Sequence, residues 1–179
     1  MPGRREKDVD YLALSARVRA MENRLLTQER LDRMIDARDP AEAAKVLAEC
    51  GYEELPALTN RGLDELLSAA RAALYRELGG AVPDKRLVEL FQMKYDYHNA
   101  KVLIKAQAMG LDEARLLSQG GRYDPQRLRE DFLRDDLRDW GEVFRQAVLR
   151  AREVLSATGD PQQADLVLLG LCCAATLYG

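Results

Sequence analysis

The chain has 179 residues, of which 32% are charged, and this length allows a core in one domain or in one domain and part of another. Its 27 basic and 30 acidic side chains give a formal net charge of -3, so no strong positive field favours nucleic acid as a partner. The longest apolar run, residues 166–175, has about half of the ~20 residues that span a bilayer, which predicts no direct membrane insertion.

The N-terminal residues MPGRREKD are followed by no apolar run, so we predict that they are not a secretory signal. Pro2 occupies the position at which N-myristoylation requires glycine. Only three cysteines occur, and the adjacent Cys172 and Cys173 lack the spacing of a metal site. Together these features predict a cytosolic protein with buried, reduced thiols.

Two helices are predicted before residue 38. The first begins at Asp8 or Asp10, ends at Leu26 and is amphipathic, because apolar residues recur at steps of three and four. A shorter helix follows from residue 27 or 28 to residue 37. The apolar stripe of the first helix comprises Tyr11, Leu14, Val18, Met21 and Leu25.

Residues 39–42, DPAE, are typical of a helix start. Asp39 can cap the helix, proline occupies the first helical position, and Glu42 can bond back to the start. This helix is predicted to end at Cys50, before Gly51. The next helix, residues 63–78, is rich in good helix formers and is predicted to stop at Gly79-Gly80.

A long helix is predicted from Asp84 to about Met109, with Gly110 just after its end. Asp96 and Asn99 lie three apart, so they can contact each other or an adjoining helix. Asp96 and His98 are two apart and point to nearly opposite sides, which excludes an Asp–His dyad within this helix. The predicted apolar face comprises Phe91, Tyr95, His98, Val102 and Ala106.

The second half of the chain is predicted to contain a short helical turn at residues 111–117, a break at Gly120-Gly121, and helices at 125–133 and 140–157. Trp140 and Phe144 are four apart, so they should anchor the last of these helices to the core. A further helix starts at Pro161 and continues into LVLLGLCCAATLYG, which is apolar on every face.

No segment alternates apolar and polar residues as a strand does. The predicted fold is therefore all-α, a multi-helix bundle. We divide it into an N-terminal helical region, residues 1–82, a long helix with a charged helical region, 83–159, and an atypical apolar tail, 160–179, which fits a truncated subdomain.

No catalytic, cofactor-binding or metal-binding constellation is predicted. Both Gly-Gly pairs lack the spacing and the Lys-Ser/Thr of a phosphate loop, and Tyr95 stands where a di-iron bundle would require glutamate before His98. His98 is the single histidine and is predicted to lie at a helix–helix contact, hydrogen-bonded through its ring. A general base that works with a distant carboxylate is the alternative.

Two groups of charged residues have different interpretations. Residues 122–153 balance arginines against acidic residues, which predicts a solvated, salt-bridged helix surface. Four arginines along the first two helices either contact an acidic partner or form a solvated face opposite the apolar stripe, and both alternatives stay open. They are Arg17, Arg19, Arg24 and Arg30.

The opening YLALSARVRAMENRLLTQERLDRMIDARDPAEAAKVLAECGY, followed about forty residues later by KYDYHNAKVLIKA, resembles the C subunit of V-type (archaeal-type) rotary ATPases, called the d subunit in the eukaryotic enzyme. The resemblance covers residues 10–168, depends mostly on the D-x-x-N-x-K segment, and extends to Gly120, Tyr123, Asp160 and Asp165. The matched residues before these are Tyr11, Arg17, Arg19, Leu25, Leu26, Leu47, Tyr52, Tyr95, Asp96, Asn99, Lys101 and Leu103.

This resemblance implies a non-catalytic, all-helical protein of three similar subdomains that form a funnel. Such a protein is peripheral, sits on the cytoplasmic face of the membrane-embedded proteolipid ring and receives the foot of the central shaft. It transmits torque in ATP-coupled ion transport, with protons or sodium as the ion. Tyr95, Asp96, Asn99 and Lys101 would be structural signature residues, and no cofactor is implied.

Two departures from the family pattern affect this expectation. Members are roughly twice as long as this chain, so it would hold the first subdomain and part of the second. After Leu168 the family has an aspartate and a charged helix face, whereas this chain has LGLCCAATLYG. A free-standing helical protein–protein interaction module, with the same architecture but no rotary complex, is the competing hypothesis. An enzyme that uses His98 is the third.

Overall fold

The computed structural model describes residues 8–55 and 59–178, with backbone alone for 176–178. These residues are helical and contain no strand, which confirms the all-α prediction. The expectations for the N-terminal residues MPGRREK lie outside the described residues. A 3-10 helix, Asp8–Tyr11, precedes the α-helices α1 (Leu12–Glu22), α2 (Gln28–Ile35), α3 (Pro40–Glu49), α4 (Asn60–Ala81), α5 (Arg86–Met109), α6 (Pro125–Leu133), α7 (Glu142–Thr158) and α8 (Pro161–Tyr178).

Contacts group the helices into two units, Met1–Lys85 and Arg86–Gly179. In the second unit α8 packs on α7 and α5, although the sequence analysis assigns it to a separate tail. The boundaries at residues 82 and 159 stay predictions. No helix among the described residues is long and apolar enough to cross a bilayer.

In the first unit, α3 has the predicted start. Asp39 accepts a hydrogen bond from the Glu42 N–H at 2.8 Å, and the Glu42 carboxylate accepts one from the Arg38 N–H at 2.9 Å. Gly51 adopts a φ of 85°, the left-handed conformation that ends helices readily at glycine. Cys50 beside it is buried, whereas Cys173 is exposed and Cys172 half-buried, so the prediction of buried thiols is wrong for the pair.

Several helix boundaries in the first unit differ from the prediction; α2 ends at Ile35 rather than residue 37, and α4 begins at Asn60 rather than residue 63. The first α-helix ends at Glu22 rather than Leu26, because the N–H groups of Arg24 and Leu25 bond to carbonyls three residues back instead of four. Thr27 then caps α2 by accepting a hydrogen bond from the Arg30 N–H. At its C-terminal end, α4 runs through Gly79-Gly80 to Ala81. Pro83 follows, and a residue before proline disfavours the helical conformation, so Val82 is extended and Ala81 is the last helical residue.

The second unit contains a buried core between α5, α6, α7 and α8. Trp140 and Phe144 are both 3% exposed, which confirms them as core anchors. Edge-to-face ring contacts join Tyr97 to Phe144 and Tyr123 to Trp140. The buried members of this core are Tyr97, Ala100, Leu103, Ile104, Leu128, Phe132, Leu137, Trp140, Phe144, Ala147, Val148, Ala151, Ala164 and Leu168.

The predicted apolar face of α5 is wrong in part: Ala106 is buried and Tyr95 and Val102 are half-buried, but the other two residues are not. Phe91 is 61% exposed and His98 is exposed, while Asp96 and Asn99 are fully buried. Apolar residues surround most of α5, so periodicity alone does not select the buried side. Packing of α8 and α7, and of the segment described next, selects it.

Residues 111–124 form an irregular segment across α5, which we call the strap. Gly110, with a φ of 64°, ends α5, and the Leu111 N–H bonds to the Ala106 carbonyl at 3.1 Å. The predicted helical turn at 111–117 is reduced to a single turn at residues 114–116, in which the Leu116 N–H bonds to the Glu113 carbonyl at 2.8 Å. A second glycine, Gly141 with a φ of 68°, delays the start of α7 to Glu142.

Candidate functional site

Asp96 connects α5 to the strap through three hydrogen bonds. Its Oδ2 accepts from Arg122 Nε at 2.6 Å, and its Oδ1 accepts from the backbone N–H of Arg122 at 2.9 Å and of Tyr123 at 3.3 Å. The carboxylate is fully buried, and the Arg122 side chain is largely buried. The sequence analysis assigned Arg122 to a solvated surface, so that prediction is wrong for this residue.

Burial determines the electrostatics of this pair. It raises the pKa of the Asp96 carboxyl, and Arg122 and the backbone donors oppose that rise. Burial also lowers the pKa of the Arg122 guanidinium, but the hydrogen bond and charge of Asp96 outweigh it and leave that pKa raised. Each group therefore depends on the other, because an unpaired buried charge is strongly unfavourable.

Asn99 makes the second connection, one turn further along α5. Its Oδ1 accepts from the Ser118 N–H at 2.7 Å, and its Nδ2 donates to the Ser118 carbonyl at 2.9 Å. The amide thus satisfies both backbone groups of one strap residue, as a neighbouring strand would. Asn99 is fully buried, so water does not replace this contact.

Further polar contacts hold the remainder of the strap. A ring nitrogen of His98 lies 3.1 Å from the Leu116 carbonyl, so the predicted ring hydrogen bond is made to the strap rather than to another helix. Gln92 donates to the Gly121 carbonyl at 3.2 Å. Glu113 is buried and pairs with Arg129 at 2.5 Å, which makes Arg129 a second exception to the solvated surface.

The other signature residues, Tyr95 and Lys101, lie away from these contacts. They line an open cavity of about 410 Å³ between α5 and α8, which we call the α5/α8 groove. Lys105 bonds to Asp165 at 2.5 Å, joining the same two helices. The groove is lined by Lys94, Tyr95, Tyr97, His98, Lys101, Leu169 and Cys172.

The arginines singled out as a partner contact belong to the first unit. Arg17 pairs with Glu77 of α4 at 2.6 Å, and Arg19 pairs with Glu22 at 2.8 Å, with both arginines more than half exposed. Arg24 lies exposed after α1. Their role in binding a partner stays a prediction.

Within the described ranges, no group of three or more His, Cys, Asp or Glu side chains could hold a metal ion. The hydrogen bond described for His98 is to a carbonyl, not to the carboxylate that a general base would use. The polar residues of α5 hold the strap against this helix. Their arrangement supports a rigid helical unit.

Sequence reasoning missed the strap partners Arg122, Ser118 and Gly121. The available signal was Gly120-Gly121 immediately before an arginine, since a glycine often allows close approach of the backbone to another group. A Cβ on Gly121 would overlap Oδ1 of Asp96. This glycine therefore permits the contact that buries Asp96.

We expect Gly121→Ala to destabilise the second unit by about 1–3 kcal/mol, the usual cost of overpacking. Gly170→Ala is the matched control, because Gly170 is an exposed helical position with no atom within 4 Å of an added Cβ. It should stabilise α8 by up to about 1 kcal/mol through helix propensity. Chemical unfolding of both variants measures the difference, and shifts of the same sign would contradict the close approach.

Tyr97 makes the second unit sensitive to alkaline pH. Burial raises the pKa of Tyr97 from 10.0 to about 12, so its contribution to stability is complete below pH 10 and is lost as the pH rises towards 12. At pH 11 the free energy of unfolding has fallen by about 1.4 kcal/mol through the ionisation of this group. We expect Tyr97→Phe to lose less stability than the parent chain between pH 9 and pH 11 in denaturant titrations. Equal losses would contradict the assignment.

The sequence profile of the ATP synthase (C/AC39) subunit family matches residues 14–174. The chain belongs to this family. The C subunit of the V-type sodium ATPase from Enterococcus hirae is 25% identical over 125 residues, which are 68% of this chain and 38% of that protein. No solved structure matches the chain. Family membership confirms the resemblance, and the matched segment spans well under half of the Enterococcus hirae protein.

Proposed function

We propose that this C/AC39 chain acts as a non-catalytic coupling element between the central rotor shaft and the proteolipid ring of a V-type ATPase or ATP synthase. The observation that carries the proposal is the family match over residues 14–174. The buried connections of Asp96 and Asn99 to the strap support it, because a torque-transmitting spacer must resist deformation. No bond is made or broken in such a spacer.

The proposed location is the cytoplasmic face of the rotor ring, where the protein is peripheral and carries no cofactor. Its partners there are the central-shaft proteins and the proteolipid ring. The transported ion, proton or sodium, and the direction of ATP turnover depend on other parts of the complex.

Size-exclusion chromatography with light scattering tests the proposal on the chain mixed with purified central-shaft proteins from the same source. We expect a one-to-one complex. If the first-unit arginines form the contact, Arg24→Glu should weaken this complex. Arg38→Glu is the same charge reversal at an exposed position after α2 and should not weaken it. A monomer that does not bind the shaft proteins would contradict the coupling role.

The alternative is a free-standing helical interaction module, and the α5/α8 groove is the observation that favours it. This hypothesis predicts a binding partner outside the rotary complex. Formation of the shaft complex in the same experiment would argue against it.

A further inference from the structure

The α5/α8 groove has one basic wall. Lys94, His98 and Lys101 follow one another at steps of four and three, so they lie on one face of α5. Lys94 and His98 are exposed, Lys101 is half-buried, and the three extend over about 10 Å of helix. Among the described residues no carboxylate lines the groove.

The facing wall and its rim are apolar. Leu166 and Leu169 of α8 are 67% and 51% exposed, and Cys173 one turn later is also exposed. These positions recur at steps of three and four and carry no charge. Gly170 beside them has no atom within 4 Å of an added Cβ, so another backbone can approach closely there.

The charged side chains near the two ends of the groove have different partners. Near one end, Lys105 is neutralised by Asp165 of α8. Lys101 lies near the thiol of Cys172, where its positive charge opposes the rise that burial and Cys173 cause in the pKa of that thiol. Leu169 and Cys172 thus face basic side chains rather than acidic ones.

We propose that the α5/α8 groove binds an acidic amphipathic helix of a partner protein. The partner's apolar side chains pack on Leu166 and Leu169, and its carboxylates, two turns apart, meet Lys94 and Lys101, with His98 between them. A symmetric pairing of two copies through α8 fits less well, because the exposed face of α8 offers no carboxylate to the basic wall. The proposal goes beyond the coupling role and does not depend on it.

Fluorescence anisotropy of the whole chain with synthetic peptides tests this binding. The probe is an 18-residue fluorescein-labelled helical peptide with leucines along one face and glutamates flanking them, and its matched control has glutamine in place of every glutamate. We expect the glutamate peptide to bind about tenfold more tightly, and the difference to shrink at high salt.

Variants of the chain locate the site. Lys101→Glu and Leu169→Asp should each weaken the glutamate peptide about tenfold. Lys45→Glu, an identical charge reversal at an exposed position on α3, should have no effect. Circular dichroism establishes that each variant is folded. The comparison of the glutamate and glutamine peptides uses the unaltered chain and does not depend on any variant.

Three outcomes would overturn the proposal: no binding of the glutamate peptide at about 1 mM, equal binding of both peptides, or equal weakening by Lys45→Glu. Because no other rotary ATPase protein is present in the assay, its failure leaves the coupling role untouched. If the chain does not form a complex with the shaft proteins, the result of the peptide assay is likewise unaffected.

Discussion

Replacing Asp96 by alanine is expected to lower the free energy of unfolding of the second unit by about 3–5 kcal/mol. The substitution removes a fully buried carboxylate that accepts one bond from Arg122 Nε and two from backbone N–H groups. A largely buried guanidinium is then left without its counter-charge. Urea unfolding followed by the fluorescence of Trp140, the single tryptophan of the chain, reports on this unit.

Asp136→Ala is the matched control, because Asp136 also pairs with an arginine, Arg138, but does so at the surface. It should leave unfolding nearly unchanged, as exposed ion pairs usually contribute little. The double variant Asp96→Leu, Arg122→Leu should recover part of the loss, since neither charge then remains buried and unpaired. A double variant no more stable than Asp96→Ala, or a control that loses as much, would refute this account.

Asn99→Leu is expected to have the second largest effect, a loss of about 1–3 kcal/mol for each backbone group of Ser118 left unsatisfied. Leucine is close in size to asparagine but makes neither of the two hydrogen bonds that hold the strap. The same fluorescence measurement applies, together with proteolysis of the strap, which should become faster.

Gln146→Leu provides the comparison for Asn99→Leu. The Gln146 amide is exposed and donates to Glu142 within α7, so its loss leaves no buried group unpaired. We expect little change in unfolding for this variant. Equal unfolding curves for the Asn99 and Gln146 variants would contradict the role of Asn99.

Helix starts were well predicted because their causes are local. Asp39 and Asp124 each cap the helix that follows, with proline in the first turn, and both helices begin where the sequence indicates. The stop at Gly79-Gly80 was wrong, since glycine weakens a helix but does not end it, whereas Pro83 restricts the residue before it.

The candidate site was only half predicted. Asp96 and Asn99 were singled out as able to contact each other or an adjoining helix, but their partners lie in the strap, 26 and 19 residues further along the chain. Balanced charges in residues 122–153 concealed that Arg122 and Arg129 are exceptions. A charge pattern records which signs are present and not which side chains leave the solvent.

The sequence by itself determined the all-α class, most helix starts, the core anchors Trp140 and Phe144, and the C/AC39 family, because capping, periodicity and motif spacing act over a few residues. Only the tertiary structure decided which face of α5 is buried, that Arg122 pairs with Asp96, and that α5 and α8 enclose a basic, apolar groove. Those features depend on segments distant in sequence, whose packing selects which side of α5 is buried.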